Sequence, residues 1–291
     1  MKPDTPAGSP LDRVERAHLR DPADRSHVIY RYDAPTDLCS LVQRFWIPVW
    51  SVPPGHEAPQ QVLQYPVALV VITADYARFY GVVPGLSTTT LTGEGWAVGV
   101  MFQPAAGALL AGTTMADWTD RFADLTEVIG ETGARLTWAV RRAMATRPDA
   151  EASHRSAMSA YAEVLRGYLP VNEQGILVNA IVAFVEGRPD VTRVTQVADK
   201  FGLTERALQR LTRRRLGLTP KWLIQRRRLH EAAERLRAGG GDLAAVAADL
   251  GYADQPHFTH DFHAVTGMTP GGFAARFAAS PCDRDRATAR S

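Results

Sequence analysis

Arg206, Gln209 and Arg210 stand at i, i+3 and i+4, so on a helix they share one face. Arginine and glutamine are the side chains whose paired donors and acceptors match base edges, Arg on guanine O6 and N7 and Gln on adenine N6 and N7. Arg213 and Arg214 follow one turn on, with charge suited to phosphate. That chemistry is recognition of DNA, not bond making. The chain has no Gly-rich phosphate loop, no Gly-x-Ser-x-Gly elbow and no His-Glu-x-x-His. Its two cysteines, Cys39 and Cys282, lie far apart and have no zinc-type spacing. Near the strand-rich stretch, His56-Glu57 is the one pair with metal-ligand chemistry, and Leu63 to Phe102 contains no histidine. No catalytic residue, metal site or cofactor is expected, and the chain is not read as an enzyme. Cys39 has no cation closer in sequence than Arg44 and is read as a buried structural thiol.

The elements that must position these residues are legible around them. Val194 to Arg215 reads as a helix-turn-helix. Val197, Ala198, Phe201, Leu203, Leu208 and Leu211 recur at helical spacing, and Ala198 is small where two helices cross. Gly202 stands at the turn, where a positive φ carries no Cβ penalty. Thr204 is placed to cap the second helix. On these residues alone an ordinary αα-hairpin with a solvated basic face fits as well.

A repeat separates the two readings. Val197, Ala198, Phe201, Gly202 and Leu203 recur 49 residues later as Val246, Ala247, Leu250, Gly251 and Tyr252. Leu208, Gly217, Thr219 and Pro220 recur 50 residues later as Phe258, Gly267, Thr269 and Pro270, so the second turn has one extra residue within Tyr252–Asp254. Each Thr-Pro is a helix start, with Thr as cap and Pro in the first turn. Two helix-turn-helix units result, joined by a helix from Pro220 to Arg237 that Gly239 ends. A helix of about 18 residues is roughly 27 Å long. A strut of that size suits two reading helices set in major grooves about 34 Å apart.

Charge agrees with this division. From Arg188 onward there are 18 Lys and Arg against 11 Asp and Glu, a net +7 that leaves the first 187 residues at −5. A basic module on an acidic body is the footprint of a nucleic-acid binder joined to something else. The length of 291 residues, with 45% hydrophobic and 22% charged, is that of an ordinary two-domain globular protein. Residues 1–27 read as a polar leader with no signal peptide, and no apolar run reaches membrane-spanning length. Sparse cysteine fits a reducing, cytoplasmic setting.

Between these ends the expected class is α+β followed by all-α. Residues 28–103 alternate in short Val-, Ile-, Thr- and aromatic-rich runs broken by Pro and Gly, which is the texture of an antiparallel sheet or small barrel. Residues 104–170 turn to helical spacing, completing a first domain over 28–170. A second domain spans 171–279, and 280–291 form a polar tail. Its first helix, from Asn172 to Gly187, should bury Ile176, Leu177, Ala180, Ile181, Phe184 and Val185.

The C-terminal hundred residues resemble the DNA-binding domain of AraC/XylS-type transcriptional regulators. The carrying residues are Ala198-Asp-Lys-Phe-Gly-Leu-Thr with Leu208-Gln-Arg, Gly251-Tyr-Ala-Asp with His257-Phe258 and Phe262, and Gly267-Met-Thr-Pro with Phe273 and Arg276. The resemblance implies two helix-turn-helix motifs on a bridging helix, with Arg206, Gln209 and Arg210 at base edges from the first. From the second, Gln255, His257, Thr259 and His260 should be presented. Two departures stand out: Pro256 sits in the first turn of that helix, and His260 occupies a place where the family usually has Arg or Lys. His260 contacts phosphate in one reading, with a strength set by protonation, and faces solvent in the other.

The first domain is similar, more loosely, to the β-rich, cupin-like, partly open barrel that serves as a sensor in a subset of these regulators. Arg44-Phe-Trp, Val98-Gly-Val-Met-Phe-Gln-Pro, Gly107, Leu109-Leu110 and Leu125 to Gly130 carry that likeness. It implies effector sensing or dimerisation. Trp46, Trp50, Tyr65, Tyr80, Trp96 and Phe102 are the candidate lining of an effector pocket, with core packing as the other reading. The partners implied are double-stranded DNA, a small-molecule effector, a second copy of the chain and, for an activator, RNA polymerase; no membrane is among them. Two alternatives stay open: a non-sensing protein whose first domain only dimerises, and an enzyme such as an alkyl-transfer repair protein fused to the reader. The second needs a metal-clustered cysteine, and Cys39 has no such company.

Overall fold

In the computed structural model, which describes residues 19, 24–63, 65–239 and 242–277, the apolar runs from His27 to Phe102 become seven of eight strands. These are β1 (His27–Asp33), β2 (Val42–Ser51), β3 (Ala58–Leu63), β4 (Leu69–Thr73), β5 (Ala77–Tyr80), β6 (Leu86–Leu91) and β7 (Glu94–Phe102). A short β8 (Phe122–Asp124) interrupts the stretch expected to be wholly helical. Six strands form one antiparallel sheet in the order β1-β2-β7-β4-β5-β8, while β3 and β6 pair separately. Most of the leader expected over 1–27, and the tail expected over 280–291, lie outside the described residues.

Strand periodicity sorts the sheet into two faces. Trp96, Val98, Val100 and Phe102 of β7 point one way with Phe45, Ile47, Val70, Ile72 and Phe79. Two helices cover that face, α2 (Leu125–Met144) and α3 (Glu151–Arg166), preceded by the short α1 (Ala106–Ala111). Tyr161 of α3, 1% exposed, donates its hydroxyl to the Val98 carbonyl at 3.0 Å, giving the buried oxygen the partner it needs. On the other face Trp46 pairs with Gly99 and Trp50 with Gly95 across β2 and β7. A Cβ on Gly99 would stand 2.2 Å from the Trp46 indole, and one on Gly95 would stand 2.3 Å from Trp50. The two indoles occupy space that only glycine leaves open.

The C-terminal part is all helical: α4 (Glu173–Gly187), α5 (Val194–Lys200), α6 (Glu205–Leu216), α7 (Pro220–Arg237), α8 (Leu243–Asp249), α9 (Gln255–Thr266) and α10 (Pro270–Phe277). The buried stripe of α4 is rotated from the expected one. Val178, Ile181, Val182 and Val185 are buried, whereas Ile176 is 50% exposed and Ala180 is exposed. The helix is apolar nearly all round, so packing chooses the face. Asn179 fixes that choice, donating to the Ser40 carbonyl at 3.0 Å and accepting from Ala105 N at 2.8 Å.

Helix α7 belongs to two cores. Its first half places Leu223 and Ile224 with Val197, Ala198, Leu208 and Leu216 of the first unit. Its second half places Leu229, Ala232, Ala233 and Leu236 with Val246, Ala247, Phe258 and Phe262 of the second. One rigid element therefore carries both units. Cys39 is exposed, not buried, because Leu38 and Leu41 take the inward positions of that turn.

Candidate nucleic-acid interface

Local sequence sets α6 and α9. Gly202 adopts φ +63° in the first turn, and the Thr204 hydroxyl accepts from Ala207 N at 3.2 Å, starting α6. In the second unit Gly251 takes φ +76°, and Asp254 caps α9 through His257 N at 2.8 Å. Four residues separate α5 from α6 and five separate α8 from α9, which is the extra residue in the second turn. Thr219 accepts from Trp222 N and Thr269 from Gly272 N, each at 3.2 Å, so both Thr-Pro starts cap their helices.

On α6, Leu208, Thr212 and Leu216 are buried, while Arg206, Gln209, Arg210, Arg213 and Arg214 are exposed. On α9, Phe258, Phe262 and Thr266 are buried. Gln255, His257 and His260 are exposed and Thr259 is half-buried. Each helix thus keeps its apolar face in a core and turns its polar face outward. His263, also exposed, lies one turn beyond His260 and was not singled out from the sequence, although its i+3 spacing was legible.

The arginine runs divide by direction. Arg213 and Arg214 face out, and Arg215 reaches Asn172 and Gln174 at 3.3 and 3.0 Å. Arg226 and Arg227 are buried. Arg226 donates to the Gly85 carbonyl at 3.0 Å, and burial pulls its guanidinium down to about 9. Arg227 pairs with Glu231 at 2.8 Å and donates to the Val191 carbonyl at 2.9 Å. Arg228 lies over the Tyr252 ring, 5.4 Å from its centroid.

The first domain grips α6 from behind its exposed face. Thr114 donates its hydroxyl to the Arg214 carbonyl and Thr119 to that of Gly217, both at 3.3 Å. Arg214 lies in the last turn of α6, whose carbonyls lack partners within the helix, and Gly217 is the left-handed residue that ends it. Gly217 has φ +74°, and a Cβ there would stand 2.6 Å from the Met115 carbonyl oxygen. Gly267, its counterpart in the second unit, has φ +68° and open space around it.

Two family models match the chain: a helix-turn-helix domain over residues 197–276 and a domain of unknown function, DUF6597, over residues 30–124. Residues 197–276 form a helix-turn-helix domain. This segment is also where the curated relatives align. The transcriptional activator RhaS of Shigella boydii is 32% identical over 93 residues, 32% of this chain and 34% of that protein. RhaS of Pectobacterium carotovorum is 32% identical over 74 residues, 25% of this chain and 26% of that protein. The aligned part spans about a third or less of those relatives' length. Among solved structures, ToxT of Vibrio cholerae is similar at 12% identity and a TM-score of 0.38, covering 88% of this chain and all of that one.

The six candidate effector residues do not line one pocket. Trp46, Trp50, Tyr65 and Tyr80 share the cluster on the glycine-bearing face, with Leu69, Val71 and Met101. Trp96 and Phe102 lie in the helix-covered core on the opposite face. Strand parity makes that division: Trp46 and Trp50 stand opposite Gly99 and Gly95, odd-numbered positions of β7, whereas Trp96 and Phe102 are even. Tyr65 is edge-on to His230 of α7, with ring centroids 4.6 Å apart, and lines a cavity of about 50 Å³ between the domains. That is room for water, not for a ligand whose pocket would run to about 300–1,000 Å³. Among the described residues no group of three or more His, Cys, Asp or Glu converges as metal ligands, and no helix is long and apolar enough to cross a membrane.

Proposed function

We propose that this chain is a sequence-specific, DNA-binding transcription regulator of the AraC/XylS type. It reads two major-groove segments with α6 and α9, and its first domain controls the reader. The observation that carries this is the pairing of α6 and α9 on one strut, each with its apolar face buried and its polar face open. Arg206, Gln209 and Arg210 contact base edges, and Arg213 and Arg214 contact phosphate. Gln255, His257, Thr259 and His260 make the second set of contacts. Control comes from a small apolar or aromatic effector on the face holding Trp46, Trp50 and Tyr80, or from pairing with a second copy. RNA polymerase is a further partner if the chain activates, as the name of its RhaS relatives says of them.

A gel shift on the DNA upstream of the chain's own gene tests the reader. Arg206→Ala/Arg210→Ala should lose about 1–3 kcal/mol of discrimination per bidentate arginine. Equal affinity and equal sequence preference in the native and changed proteins would discard the assignment. A thermal-shift screen of metabolites tests control: stabilisation by one compound supports sensing, and melting that depends only on protein concentration supports dimerisation alone.

A further inference from the structure

The two reading helices differ in the source of their charge. At the 50-residue offset of the repeat, Arg210 corresponds to His260 and Arg213 to His263, and both histidines are exposed as the arginines are. Helix α9, QPHFTHDFHAVT, contains no lysine or arginine. His257, His260 and His263 follow at three-residue steps, so they form one exposed arc beside Thr259. An open groove of about 620 Å³, lined by Gln255, Pro256, Thr259, His260, His263 and Thr269, runs along that arc.

We propose that the second unit holds DNA phosphate through His257, His260 and His263, so that its share of the affinity is gained on protonation. This rests on the reading of α6 and α9 as DNA-facing helices. Histidine is the side chain whose ordinary titration, near pH 6.5, falls in the physiological range. As imidazolium it carries charge and two donors; neutral, it keeps one donor and one acceptor. A phosphate beside it favours the charged form, so binding takes up protons.

The other charged groups near the arc leave this intact. Asp261 Oδ2 lies 3.7 Å from His257 Nε2 and also accepts from Gln225 of α7 at 2.8 Å, so it is half-engaged from below. The Tyr252 ring stands 5.3 Å from that of His257 and carries the Arg228 guanidinium over it. Asp254 is occupied in capping α9. Asp249 of α8 pairs with Arg235, and Arg276 of α10 lies over the Phe277 ring. Asp242 caps α8. Among the described residues, Asp261 is the charged group set directly against one of these imidazoles.

The test uses the full chain, a random-sequence duplex of about 40 base pairs, and fluorescence anisotropy between about pH 5.5 and 8 at several salt concentrations. The wild type should bind about tenfold or more tightly at the acid end, with a plot of log affinity against log salt steeper there by about 2 to 3, the slope of three added phosphate contacts. His257→Gln/His260→Gln/His263→Gln should bind at every pH as the wild type does near pH 8. His260→Arg/His263→Arg should bind near pH 8 about as the wild type does near pH 5.5, and it keeps the test decisive if the glutamine variant folds poorly. Arg206→Ala/Arg210→Ala should bind more weakly throughout but keep the pH dependence. Tight binding with no pH dependence, or a dependence that survives the glutamine changes, overturns this inference and leaves the regulator standing. No binding under any of these conditions overturns both.

Discussion

Thr119 donates its hydroxyl to the carbonyl oxygen of Gly217 at 3.3 Å, so the first domain braces the end of α6. Thr114 does the same for Arg214. Helix α9 ends at Gly267, where a Cβ would meet nothing within 4 Å. The two units are therefore alike in fold and unlike in attachment. A shift of the Met115–Trp118 segment acts on α6 directly, whereas the core that holds α9 meets the first domain at Leu86.

That asymmetry gives a matched pair of substitutions. Gly267→Ala should cost about 1 kcal/mol, the penalty of a left-handed conformation with a Cβ. Gly217→Ala adds a clash with the Met115 backbone and should cost about 2–4 kcal/mol, or part the domains. Melting curves of the two proteins, read together, isolate the interdomain contact. Equal losses would mean the contact contributes nothing.

Adjacent arginines should fail in different ways. Arg227, with a side chain only 4% exposed, is paired to Glu231, so Arg227→Ala leaves a half-buried carboxylate unpaired and should cost about 3–5 kcal/mol of stability. Arg214→Ala should leave melting within about 0.5 kcal/mol and instead flatten the salt dependence of DNA binding by about 0.9 in slope. Calorimetry and salt titration of both proteins check the contrast.

Gly99→Ala should cost about 1–3 kcal/mol, because the Trp46 indole occupies the volume a methyl would need. Trp46→Ala, made in the same chain, should recover part of that loss. Denaturant curves for the two single changes and the double one give the coupling; strict additivity would contradict the packing.

Acid should weaken the corner between β1 and β3. Burial alone would raise the Asp24 carboxyl, but hydrogen bonds from Ser26 and Gln60 and the charge of His27 outweigh it and hold it down at about 2. A carboxyl lowered on folding stabilises above its unfolded value, near 3.9, and that stability is lost as pH falls through the folded value. Melting temperature should drop between about pH 4 and 2 in the wild type and less so in Asp24→Asn.

Much of this was legible in residue spacing. The repeat located both turns, both caps and the single extra residue, because a positive φ at Gly202 and Gly251 and a Thr before each Pro are local requirements. What the sequence left open depends on distant partners. The face of α4 was misread because an almost wholly apolar helix is oriented by Ser40 and Ala105, far from it in the chain. The aromatic residues were grouped without regard to parity, which places Trp96 and Phe102 behind the sheet from Trp46 and Trp50. The grip of Thr114 and Thr119 on α6 had no sequence signal, since hydroxyls that cap another domain's helix look like any loop threonine.

Hydroxyl-radical footprinting on a bound promoter fragment tests the central claim most directly. The duplicated reader predicts two protected patches on one face of the duplex, about one helical turn apart. Arg206→Ala/Arg210→Ala should erase one patch and His257→Gln/His260→Gln/His263→Gln should weaken the other. A single patch, or one that neither set of changes touches, would contradict it.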